Sequence, residues 1–179
     1  MLYREQMAVI AAHQKARPVL TVPIAKALGL RVYRLASLPT NVAAILRPDP
    51  ETGSHGIYVN ANQPEEERRF TIAHEIGHHV LHSNLIGPGI VEDVLLRSER
   101  LSTTVEAQAN QFAANLLMPR HLLEQARGEG IVTITDLARE FRVTRDAMSV
   151  RLLGVAYTAA EDAGVEIGAV QNVSHQQYA

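Results

Sequence analysis

The stretch His74-Glu75-Ile76-Gly77-His78 constrains this chain more than any other feature, because its residues act together only on a helix. Residues four apart on an α-helix differ by about 40° in direction and 6 Å in height, so two imidazoles at that spacing reach one cation. Glu75 lies roughly 100° round the axis from His74, where its carboxylate reaches a water beside the cation rather than the cation itself. The local sequence favours the helix. Asn62, Gln63 and Pro64 precede three glutamates, which places negative charge at the positive end of the helix dipole and predicts a helix over 64–83. Of eight histidines in the chain, four fall between positions 74 and 82, which concentrates metal-binding chemistry in this one segment.

Two histidines leave a catalytic zinc shell one protein ligand short. Leu81 and Asn84 stand where an HExxHxxGxxH continuation needs glycine and histidine, so a third histidine just downstream is excluded. A carboxylate from a later element is the remaining solution. Glu106 opens the next long periodic stretch, expected as a helix from about 103 to 117 with Ser102, Thr103 and Thr104 as its capping signal. Glu92, Glu99 and Glu124 compete, but the first two lie in a stretch of ambiguous pattern and Glu124 follows the helix-ending Pro119. Glu106 is therefore preferred. Asn110, one turn beyond it, suits a hydrogen bond to a ligand histidine, and His82 is a second candidate to line the cleft. His79 reads as a surface or packing residue. Tyr33, Tyr58 and Arg69 are candidates to stabilise an oxyanion, and nothing in the sequence chooses among them.

The rest of the chain reads as a small α+β protein. At 179 residues about 70% of the unfolded surface can be buried without staples. Aromatics are 4% with no Trp, so the core falls to Leu, Ile, Val and Ala. A net charge of −2 argues against coating nucleic acid or an anionic membrane. The lack of cysteine excludes disulfides, thiolate-bound metal and thiol catalysis. No apolar run approaches a membrane span, and Glu5, His13 and Lys15 interrupt any signal peptide, so a cytoplasmic protein is expected. Helices are expected over 2–16 and 21–28, then strands over 30–35, 42–47 and 56–60 in a mostly antiparallel sheet. Helices over 133–141 and 145–153 have helix-turn-helix spacing, with Thr144 capping the second and Arg142 where glycine is usual. Six arginines against five acids across 120–151 give no strong phosphate-binding face, so direct DNA binding is not expected.

RRFTIAHEIGHHVLH (68–82) and EAQANQFAANLLMP (106–119) together resemble the ImmA/IrrE family of metallo-endopeptidases. PVLTVPIAKALGLRV (18–32) is similar to that family's lead-in and LAREFRVTRDAMSVRL (137–152) to its C-terminal helical segment, so the resemblance spans roughly 18–153. It implies a gluzincin-like site in which His74, His78 and Glu106 bind zinc and Glu75 is the catalytic base, with manganese or another divalent ion suiting the same donors. The implied architecture is a zincin-like domain over 1–119 with a three-stranded sheet and an active-site helix. A helix-turn-helix-like helical subdomain over 120–157 and a tail over 158–179 follow. The implied substrate is a helix-turn-helix (Xre-type) repressor or antitoxin, whose loss derepresses stress, prophage or mobile-element genes. Two rivals stay open: a non-proteolytic, metal-stabilised partner of a repressor in a toxin–antitoxin-like pair, and a hydrolase of a non-protein substrate.

Overall fold

In the computed structural model, residues 1–51, 53–83 and 99–162 are described, the side chains of 99–102 and 155–162 excepted. Helices α1 (Tyr3–His13) and α2 (Thr21–Ala27) come first. Gly29, at φ +82°, then turns the chain into the first strand, a left-handed step that glycine takes without a Cβ clash. Strands β1 (Arg31–Leu35), β2 (Ala44–Pro48) and β3 (His55–Asn60) form one sheet in the order β1-β3-β2.

The sheet is mixed, not mostly antiparallel: β3 pairs antiparallel with β2 but parallel with β1. Antiparallel pairing from Ala44↔Val59 to Pro48↔His55 makes β2 and β3 a hairpin. The link at 36–43 carries the chain from β1 past the end of β3 to the far edge. Apolar alternation marks strands but not their direction, so that pattern leaves the parallel pairing open. Alternation does set the faces. Ile57 and Val59 of β3 and Leu46 of β2 join the core, whereas Tyr58, its register partner Tyr33 and Arg47 share the opposite face.

Five more helices follow, α3 (Glu65–Leu81), α4 (Glu99–Leu117), α5 (Arg120–Gly128), α6 (Ile134–Phe141) and α7 (Arg145–Asp162), of which α3 packs on β2 and β3 while α2 packs on β1. Helix α3 buries Ile72, Ala73, Ile76, Gly77 and Val80, the periodic stripe that fixes which face meets the sheet and α4. One hydrophobic cluster runs from Ile10, Ile57 and Ile76 through Leu116 and Leu122 to Leu137, Phe141 and Met148, so the C-terminal helices share a core with the sheet. Burying each such side chain contributes roughly 1.5–3 kcal/mol. Thr133 caps α6 by accepting from Asp136 N–H, Arg142 closes it in the left-handed region at φ +49°, and Thr144 caps α7 through Ala147 N–H.

Elements differ from expectation in four main places, the first being α1, which stops at His13 instead of running to 16. Helix α4 begins a turn early, at Glu99, so Thr103 and Thr104 lie inside it rather than capping it. Helix α5 was not anticipated, although Pro119 at its N-cap and buried Leu122, Leu123 and Ala126 are the signals that make it. Helix α7 runs on to Asp162. Of the ambiguous stretch over 90–100, residues 90–98 lie outside the described residues, as does the part of the 158–179 tail beyond 162. Among those described, no helix is long and apolar enough to cross a membrane.

Candidate metal centre

The three donors meet because two helices cross unusually closely. Gly77 faces α4, and a Cβ there would lie 3.1 Å from Phe112 Cδ1 and 3.2 Å from the Ala109 carbonyl oxygen. Ala73, Ala109 and Ala113 are likewise fully buried. Small side chains therefore let α4 settle against α3, and Glu106 reaches across the seam to both histidines.

Among the described residues, His74, His78 and Glu106 form a group whose donor atoms all lie within 4.8 Å of one another. His74 Nε2 and His78 Nε2 are 2.9 Å apart, and the Glu106 carboxylate oxygens stand 3.2 Å from the first and 3.3 Å from the second. A tetrahedral zinc ion with bonds of about 2.0–2.1 Å keeps its ligand atoms roughly 3.3 Å apart, so the donor set fits one such ion. Glu106 is held well below the usual carboxylate range by hydrogen bonds with His74 and His78, which keeps it ionised. Burial works against a charged His74, but Glu106, Glu75 and Asn110 outweigh it and raise its pKa. Burial pushes the Glu75 carboxyl above its ordinary value, with His74 and His78 opposing. A base that holds its proton nearer neutrality is suited to proton transfer at physiological pH.

Partners on the far side of each ring set the tautomers. Asn110 Oδ1 lies 2.9 Å from His74 Nδ1, so Nδ1 keeps its proton and, with a cation in place, Nε2 would be free to ligate it. His78 Nδ1 lies 3.3 Å from His82 Nδ1, and His82 Nε2 lies 2.9 Å from Gln108 Oε1. With the Gln108 carbonyl accepting from His82 Nε2–H, His82 Nδ1 accepts from His78 Nδ1–H and leaves the His78 Nε2 lone pair free. His82 is only 6% exposed, held at the end of α3 by its own N–H to the His78 carbonyl.

Beside His74 and Glu75 opens a cleft of about 420 Å³, with Asn41–Ala44 on one side and Phe70, Thr71 and Asn110 on the other. Asn60, buried on β3, pins the first wall by donating to the Pro39 and Val42 carbonyls at 3.0 Å. This wall leads into β2, an edge strand whose outer side has no strand partner among the described residues.

Other expected residues fall elsewhere. None of the oxyanion candidates points to the site. Tyr33 and Tyr58 stack at 4.7 Å on the sheet face turned away from α3, and the Arg69 guanidinium is bound to the carbonyls of Val19, Phe141 and Arg142. His79 packs edge-on against His55, its Nδ1 unpartnered, and burial lowers its pKa to about 4. Glu124 pairs with Arg120 on the surface of α5, whereas Glu92 and the Glu99 side chain lie outside the description. Gly77 and Gln108 were not foreseen. The glycine inside the motif was a usable signal, and for Gln108 the sequence held none.

Comparison with known proteins adds to this geometry. The model of a family described as the IrrE N-terminal-like domain matches residues 25–153. The chain is 30% identical over 96 residues to metallopeptidase ImmA of Bacillus subtilis, covering 54% of this chain and 53% of that protein. It is 35% identical over 79 residues to the radiation response metalloprotease IrrE of Deinococcus radiodurans, covering 43% of this chain and 23% of that one. An immunity region protein of Bacillus phage phi105 is 33% identical over 82 residues, 46% of this chain and 49% of the relative. The chain thus spans about half the length, or less, of these relatives. Among solved structures, a Mycobacterium tuberculosis transcriptional regulator superposes with a TM-score of 0.57 at 18% identity, covering 84% of this chain and 47% of that one, a likeness of fold alone.

Proposed function

Because this chain belongs to the IrrE N-terminal-like domain family, we propose that it is a zinc-dependent endopeptidase that cleaves a helix-turn-helix (Xre-type) repressor or antitoxin. The observation that carries the reading is the convergence of His74, His78 and Glu106 beside Glu75 at the floor of an open cleft. The names of two relatives, a metallopeptidase and a metalloprotease, support the peptidase part of this reading.

A divalent ion on those three donors supplies Lewis-acid polarisation of the scissile carbonyl and makes water a stronger acid. The chain's own residues do the rest. An extended substrate lies along the free edge of β2, whose backbone groups fix its register. Glu75 takes the proton of the attacking water and delivers it to the leaving amine, which needs one carboxylate in two successive roles. Asn110 keeps His74 oriented, and the His82–Gln108 pair does the same for His78.

Incubation with the helix-turn-helix regulator encoded nearest the gene, with and without chelator, tests the proposal. Metal-dependent cutting is expected, and Glu75→Gln should slow it by about 10²–10⁴-fold with zinc content unchanged. Undiminished cleavage by that variant refutes the role of Glu75. Tight association without cutting would identify a sequestering partner instead, and neither outcome would point to a different hydrolase.

A further inference from the structure

The cleft at the metal centre does not end there. A second cavity of about 280 Å³, lined by Gln63, Glu67, Phe70, Thr71, Thr144 and Ala147, shares Phe70 and Thr71 with the first. The two adjoin at these residues and together make a trench along α3 from His74 back toward its N-terminus, with the start of α7 lining the second cavity. Phe70 and Ala147 give it an apolar lining, and Thr71 Oγ1 and Gln63 Oε1, 3.4 Å apart, are hydrogen-bonded to each other.

One charge in this wall is free. Glu67 is exposed and makes no ion pair or side-chain hydrogen bond among the described residues. Its neighbours are engaged: Glu65 meets Arg142 at 3.2 Å, and Arg68 donates to the Gln63 carbonyl. We infer that this trench is a substrate subsite in which Glu67 receives a lysine or arginine side chain of an extended peptide, an inference that rests on the peptidase reading above. Its position beside the metal cleft, with Phe70 and Thr71 common to both, makes a polypeptide the occupant, and the unpaired carboxylate sets the sign of the side chain. The spacing follows from helix geometry. Glu67 precedes His74 by seven residues, about 10 Å along the axis at 1.5 Å each, which an extended chain covers in about three residues. The basic residue therefore lies about three positions from the scissile bond.

The test uses the zinc-loaded full chain and a mixture of synthetic unstructured peptides of randomised sequence, with cut sites mapped by mass spectrometry. Lysine and arginine should be preferred over aspartate and glutamate about three positions from the cut, on one side, by about fivefold, the size of a solvent-exposed ion pair. Glu67→Gln should abolish the preference and Glu67→Lys reverse it, each with wild-type zinc content as the check on folding. Ala147→Trp, which fills the trench from its far wall, should lower cleavage severalfold and weaken the preference. Cleavage without charge preference there, or with a preference that Glu67→Lys leaves unchanged, overturns the subsite and leaves the peptidase reading standing. Failure of the wild-type chain to cut both these peptides and the regulator overturns both.

Discussion

Gly77 donates nothing to a metal, yet it decides whether three donors meet. Its missing side chain is what lets the Ala109 backbone approach α3, and a larger residue must push α4 outward. Gly77→Val should cost roughly 1–3 kcal/mol of stability, and zinc affinity should fall at least tenfold in competition with a chromophoric chelator. Unchanged affinity would mean that the close crossing is incidental to the site. Asn110→Ala removes the acceptor that orients His74, and a loss of about 10–100-fold in zinc affinity is expected. Asn110→Asp retains an acceptor oxygen and should recover much of that loss, which separates orientation from packing. At this scale the sequence was informative where chemistry has a fixed spacing. His74, Glu75 and His78 are recognisable from their spacing alone, and Asn110 from its place one turn past Glu106. Gln108 was invisible because its partner His82 comes from another helix, at a crossing angle no sequence pattern records.

Arg69 shows how elements are joined. It sits on α3 one turn before the metal-site motif, is 8% exposed, and binds the Val19 carbonyl before α2 as well as the Phe141 and Arg142 carbonyls at the end of α6. Three segments distant in sequence meet on one guanidinium. Arg69→Met keeps the stem but strands those carbonyls, and thermal or urea unfolding should show a loss of about 3 kcal/mol. A variant as stable as the wild type would show that water replaces the guanidinium at no cost. The elements were legible in the sequence wherever apolar period and end signals agreed, as for α3, whose acidic first turn and buried stripe both point the same way. They were obscured where a signal had two meanings. Thr103 and Thr104 resemble a cap but lie within α4, and Pro119 ends one helix while starting another. The parallel pairing of β1 depends on a link crossing the sheet end, which apolar alternation leaves open.

Across the whole molecule, the site and the C-terminal helices share one core, so metal binding and global stability are coupled. Zinc in hundredfold excess over its dissociation constant should add about 2.7 kcal/mol to the folded state. For a chain of this size that raises the melting temperature by about 5–10 °C. Chelator should remove the increment from the wild type and leave Glu106→Ala unaffected. The same continuity makes α7 a wall of the trench rather than an appendage, since Phe141 and Met148 anchor it among residues that also support α3. The most direct measurement is anomalous diffraction at the zinc edge from crystals of the zinc-loaded chain. It should reveal one ion about 2.0–2.2 Å from His74 Nε2, His78 Nε2 and a Glu106 oxygen. An ion bound elsewhere, or held by the two histidines with another carboxylate in place of Glu106, would contradict the account.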